Sequence, residues 1–264
     1  MRVARFVLSL SISFSSSVSL EAQQTAASSA QSQQLLQRSL SALAGSQTLT
    51  DVTLSGTVRR ITGADNDTGS ASFKALASGA GRSDLSLSSG PRTEIQNLSA
   101  TFPAGSWSGP DGVAHAMAFH NLLTEPAWFF PAFAIARRLS TLGHVATYVG
   151  RESHNGQAVE HLSVSQTSPF PVISKGLSFE HLSQVDFFLD STTLLPAAIT
   201  FNIHPDRDAG LDLPVEVRFS DYRAVNGAQV PHHVQKFLNN SLILDFQADS
   251  VTLNSGLSAS SFSL

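Results

Sequence analysis

The sequence predicts an α+β protein built on one strongly curved antiparallel sheet, with helices packed in its concave face. Three observations predict it. Apolar residues recur at period two along most of the chain, Asn-Gly and Asn-Asn pairs punctuate the second half at hairpin spacing, and one run, Asn121 to Ser140, breaks the alternation.

The first 22 residues are expected to be a cleaved export signal. Arg2 and Arg5 form a basic start, Phe6 to Leu20 an apolar and serine-rich stretch, and Ala22 a small-residue cleavage point. The stretch is short and nothing downstream resembles a stop-transfer helix, so no membrane span is expected. Residues 23–264, roughly 240, fit one domain, since barrel-like folds reach that size undivided. There is no cysteine, so an exported chain has no disulfide framework, no thiol nucleophile and no thiol for a lipid anchor. A periplasmic resident is expected. Losing Arg2, Arg5 and Glu21 turns 16 basic and 20 acidic residues into 14 and 19, a change from −4 to −5, so nucleic acid is not an expected partner.

Gln31 to Ala44 places Leu36, Leu40 and Leu43 at helical spacing, with Leu35 alongside, and stops at Gly45: an amphipathic helix with a glycine C-cap. The period then becomes two, through Val52, Leu54 and Val58, then Ala71, Phe73, Ala75 and Ala77, then Leu85 and Leu87, with turns expected at 62–69 and 88–91. Hairpins follow at Asn155-Gly156, Asn226-Gly227 and Asn239-Asn240. A sheet of roughly nine to twelve strands does not stay flat and curls toward a barrel.

Inside such a sheet the apolar run makes sense as a helix over 126–142. Thr124 can cap it, Pro126 falls in its first turn, and Trp128, Ala132, Ile135 and Leu139 repeat at helical spacing; Pro131 either kinks it or marks its true start. Phe129, Phe130 and Phe133 lie on other faces, so the helix is apolar nearly all round and has to be covered. Two readings follow: the helix plugs the sheet as core, or it lines a cavity where an acyl chain is held, gaining ~0.8 kcal/mol per buried methylene. The candidate ligand-binding residues are Trp107, Leu122, Leu123, Trp128, Phe129, Phe130 and Phe133, with Arg137 and Arg138 as charge at the mouth. Arginines there also suit a plain helix C-terminus.

The stretches VDFFLDSTTLLPAAITF (185–201), DYRAVNGAQVPHHVQ (221–235) and VTLNSGLSASSF (251–262), with GTVRR after the first helix, resemble the periplasmic outer-membrane lipoprotein-sorting superfamily, the LolA-like fold. Asp190, Leu195, Pro196, Tyr222, Pro231 and Phe262 are the framework positions of that resemblance. It implies an unclosed β-barrel of about 11 strands with helices in its mouth and a hydrophobic cavity for the lipid chains of a lipoprotein. Relatives that bind other lipids or act as periplasmic sensors belong to the same fold. Where carriers have an arginine and a tryptophan on early strands, this chain offers Arg82 and Trp107, and 106–145 departs most from a carrier pattern.

No chemistry is recommended by local motif. His115 and His120 are five apart, outside the i, i+4 spacing that aims two imidazoles at one metal, and His232 and His233 point to opposite faces of a strand. Asp206, Asp208 and Asp212 mimic part of a calcium loop, but the glycine falls one place early and Val217 stands where a glutamate is needed. GSWSG has tryptophan where a nucleophile elbow needs serine. A hydrolase would require a histidine and a carboxylate converging on a serine from distant strands. The expectation is a non-enzymatic carrier, without cofactor or metal, for a lipid or acylated lipoprotein. The alternative is a sensor module docking the periplasmic domain of a membrane protein.

Overall fold

The computed structural model describes residues 17–98, 103–140, 143–167 and 179–263, with side chains from Ser28 onward. Helix α1 (Ser17–Ala44) precedes β1 (Asp51–Thr62), β2 (Asp65–Leu76), β3 (Ala80–Leu87), β4 (Gly90–Asn97), β5 (Ala104–Ser108) and β6 (Ala114–Ala116). A 3-10 turn (Phe119–Leu123) and α2 (Pro131–Ser140) lead to β7 (His144–His154) and β8 (Gln157–Gln166). Then come α3 (Phe179–Ser183), β9 (Val185–Asp190), β10 (Pro196–Ile203), β11 (Leu213–Val225), β12 (Ala228–Leu238), β13 (Ser241–Leu253) and a 3-10 turn at Ala259–Phe262.

Consecutive strands pair antiparallel from β1 to β6 and from β7 to β13, and β1 pairs with β13 to join the halves into one open sheet. It has 13 strands, against about 11 expected. The shortest, β5 and β6, come from a stretch where Gly, Pro and Ser interrupt any alternation, so they left little periodic signal. Register shifts at Ser55/Gly56, Tyr148/Gly150 and Lys236/Phe237 mark bulges, which add twist and curl the sheet.

The topology explains the apolar run. Strands β6 and β7 are neighbours in sequence but lie at opposite edges of the sheet. The chain between them has to travel from edge to edge, and it does so across the concave face. Ala127 to Ile135 pack there in one cluster with Leu54, Phe73, Phe187 and Phe246. The helix begins at Pro131, not at 126, because proline has no N–H to give a preceding turn and favours the first helical position. Thr124 therefore caps no helix; its hydroxyl donates to Asn121 O at 2.7 Å. Residues 141–142 of the expected helix lie outside the described residues.

Helix α1 buries Leu35, Leu36 and Leu43 against this cluster and ends as expected at Gly45, in the left-handed region at φ +59°. A side chain at Gly45 would also meet Gly227 O at 2.5 Å, so the glycine lets the helix end rest on the β11–β12 turn. Of the expected export signal, residues 1–16 lie outside the described residues and 17–22 begin α1. The three hairpin pairs, Asn155-Gly156, Asn226-Gly227 and Asn239-Asn240, all have positive φ, as two-residue turns require. The turn expected over 62–69 is tighter than its composition implied: Thr62 already pairs with Asp65, and the polar residues 66–69 lie in β2.

The framework residues act as local fasteners. Asp190 Oδ1 accepts the Thr192 and Thr193 amides at 3.1 and 2.6 Å, closing the β9–β10 turn. Tyr222 donates its hydroxyl to Pro196 O at 2.8 Å. Phe262 packs on Ala80 and Ile95.

Candidate ligand cavity

The concave face is not completely filled. Cross-strand register puts Trp107, Glu94, Ser83, Phe73 and Leu54 in one row, and Arg60, Leu244 and Lys236 in another. Directly paired residues share a face, so both rows point toward the crossing segment. Between them and Trp128 lies a cavity of about 340 Å³ lined by Phe73, Leu85, Trp128, Leu238, Ile243 and Leu244, with Arg60, Arg92, Glu94 and Lys236 as its charged groups. It reaches the rim at the β1–β2 turn, at Thr62 and Gly63. A second lobe of about 190 Å³ shares Glu94, Trp128 and Lys236 and extends to Trp107, Met117, Phe201 and Ile203.

Trp128 is the hinge of the site. Its ring meets Phe73 edge to face at 5.4 Å and Phe129 at 5.5 Å, while Lys236 Nζ stands 4.4 Å above it. Burial draws the Lys236 ammonium below its ordinary pKa, Glu94 opposes that and Arg92 reinforces it. Burial likewise pulls the Arg92 guanidinium down, and Arg92 lies 4.8 Å over Trp107. Among the described residues, Arg60, Arg92 and Lys236 form no salt bridge. In the first lobe three cations face one carboxylate, which leaves that lobe electropositive, whereas the second lobe adds the carboxylates of Glu125 and Asp206.

The crossing segment is placed by two contacts. Gly81 of β3 lies against the carbonyl of Pro126, where any Cβ would collide. Glu125, buried, accepts from Arg137 at 3.4 Å and stands 3.8 Å from Arg138, so the loop before α2 is clasped to its last turn. The same carboxylate accepts the Ala127 amide at 3.3 Å. Burial and the Arg137 charge pull Arg138 down to about 9, with Glu125 acting against them, so Arg138 is cationic at neutral pH.

These positions divide the sequence-based candidates. Trp128 lines both lobes and Trp107 the second. Phe129, Phe130 and Phe133 are fully packed in the core cluster, with Phe130 and Phe133 edge to face at 4.8 Å. Leu122 and Leu123 are buried in the 3-10 turn. None of these five lines either lobe. Arg137 and Arg138 do not stand at the mouth, because the buried Glu125 carboxylate draws both inward. Arg82 is also spent elsewhere, on Asp84 at 2.7 Å and Ser261 O at 3.2 Å. The strand residues Phe73, Leu85, Leu244, Arg60, Arg92 and Lys236 were missed as site residues. Alternation marks Phe73, Leu85 and Leu244 as inward, but no local pattern says which inward residue borders a void.

Serine, histidine and carboxylate do converge. Ser220 Oγ is 3.0 Å from His233 Nδ1, and His233 Nε2 is 2.7 Å from Asp245 Oδ1. The three lie on β11, β12 and β13, on the outer face, opposite in pleat to the inward Val234 and Phe246. Acyl transfer also needs a pocket and amide donors aimed at the oxyanion. Here the adjoining hollow at Thr57, Val58, Arg59, Thr68 and Gln247 is open, and Ser220 does not line it. His115 instead stacks on Trp107 at 4.3 Å.

No family model matches the sequence, and no curated protein matches it. Solved structures do match the fold. A domain ascribed to outer membrane lipoprotein sorting from Vibrio parahaemolyticus superposes with a TM-score of 0.57 at 12% identity, covering 89% of this chain and 97% of that one. A LolA superfamily protein from Nitrosomonas europaea gives 0.55 at 10%, covering 88% and 97%. A DUF1329 family protein from Desulfovibrio piger gives 0.53 at 11%, covering 89% and 97%. At these identities the likeness is one of fold, and the fold is LolA-like.

Proposed function

We propose that this LolA-like half-barrel, exported and cleaved near Ala22 to a single domain of residues 23–264, is a non-enzymatic periplasmic carrier. Its cargo is a lipid or an acylated segment of a lipoprotein, with the chain in the cavity beneath Trp128 and an anionic head at Arg60, Arg92 and Lys236. The observation that carries the reading is the cavity itself: apolar walls joined to three cations without salt bridges. At about 340 Å³ it lies at the lower end of ligand pockets, roughly 300–1,000 Å³, so one chain is the natural occupant. The name of the Vibrio parahaemolyticus domain, which refers to lipoprotein sorting, supports the same ligand class. Among the described residues no helix is long and apolar enough to cross a membrane.

Native mass spectrometry with lipid extraction, on protein purified from its own periplasm without detergent, tests this. One bound acyl-chain ligand per protein is expected. A clean mass with nothing extractable contradicts the carrier reading and favours a second one, an interaction module. The observation behind that second reading is the apolar exposure on edge strand β7, where Val145 and Val149 are 46% and 54% exposed on either side of Tyr148, whose backbone amide and carbonyl are bonded by Ser28 of α1.

A further inference from the structure

Away from the cavity, three side chains from separate elements aim at one point. His181 belongs to α3, His204 follows β10, and Asp212 immediately precedes β11. His181 Nε2 and His204 Nε2 stand 2.9 and 3.0 Å from the same oxygen, Asp212 Oδ1. The three groups offer ligand atoms that all lie within 4.8 Å of one another. The geometry points to a site for a divalent transition metal of the zinc class, held by His181, His204 and Asp212.

The placement is built rather than incidental. His204 is fixed at its backbone by Asn121, which accepts the His204 amide at 2.8 Å and donates to the His204 carbonyl at 2.7 Å. Its side chain is fully buried. His204 Nδ1 has no hydrogen-bond partner; its Nε2–H donates to Asp212, and binding a cation would move that proton to Nδ1 so that Nε2 offers its lone pair. His120 packs edge-on against His204 at 5.8 Å and turns its Nε2 to Pro205 O at 3.2 Å, bracing the ring from behind.

Two imidazoles and a carboxylate suit zinc, with metal–ligand distances near ~2.0–2.2 Å and a fourth position left to water. Opening the present 2.9–3.0 Å contacts by a few tenths of an ångström would admit the ion. His181 and Asp212 are about two-fifths exposed at their side chains, so the site is reachable from solvent. Calcium is a poorer match. Asp206 borders the second lobe of the cavity and Asp208 is turned to the Gly210 amide, so the oxygen-rich loop does not assemble. The bland reading, a carboxylate shared by two histidines, predicts no metal affinity.

The test is isothermal titration of the chelator-stripped full chain with Zn(II), followed by Co(II) absorption to read the coordination. Wild-type protein should take up one Zn(II) per chain and give the absorption of a four- or five-coordinate N/O site. His181→Ala and Asp212→Asn alter half-exposed side chains and should keep wild-type circular dichroism while weakening binding by at least ~100-fold, beyond the 10–100-fold typical of an outer-shell partner. Asn121→Ala should weaken it less. No uptake at micromolar Zn(II), or equal uptake by wild type and both ligand variants, overturns the site.

Discussion

Burial lowers the pKa of the Lys236 ammonium over the face of Trp128, and a half-buried cation without a salt bridge costs stability unless something compensates it. The indole face does part of this, and in the carrier proposed above an anionic head would do the rest. Lys236→Met should therefore leave the melting temperature unchanged or higher, while binding of an anionic amphiphile weakens about tenfold or more, as loss of a charged hydrogen bond worth ~1.5–3 kcal/mol implies. Calorimetry and a lipid titration on the same preparation check both halves. Asp51 makes the opposite kind of residue-level prediction. Burial raises its pKa, but the Ser255 hydroxyl and the Ser255 and Gly256 amides more than offset this and hold it below the ordinary carboxylate value. Its contribution is fully present above an unfolded pKa of about 3.9 and is lost as pH falls through the lower folded value. Asp51→Asn should cost ~1–3 kcal/mol at neutral pH and flatten the acid limb of stability below about pH 4, read by denaturant titration across pH.

At the scale of elements, the clasp around α2 decides whether the crossing segment stays down. Glu125→Gln would leave Arg138 buried beside Arg137 with no counter-charge. A loss of ~3–5 kcal/mol is expected in urea unfolding, with faster hydrogen exchange over 124–140. This clasp was invisible in the sequence because Glu125 and Arg138 pair only after Pro131 starts the helix and turns the chain. Elements fixed by local chemistry were legible: the Gly45 cap, the Asn-Gly hairpins and the long period-two strands. The helix start was half legible, since Pro131 permits either a kink or a beginning and only packing chooses. The aromatic run was read correctly as an element needing cover. Its division into core phenylalanines and one cavity-facing tryptophan follows from which strands lie opposite, and sequence does not carry that information.

For the whole molecule, the open sheet and the crossing segment are one design. Because β6 and β7 end at opposite edges, the chain must span the concavity, and whatever hollow the span leaves becomes the cavity. The likeness to solved structures at 10–12% identity is a likeness of that fold. The most direct measurement uses the two tryptophans. In a Trp107→Phe protein, Trp128 alone fluoresces, and titration with a fatty acid brominated along its chain reports contact with the cavity wall. Saturable quenching at one chain per protein, weakened by Lys236→Met, is the predicted result. Binding without quenching, or no binding at all, would contradict a cavity that holds its ligand beneath Trp128.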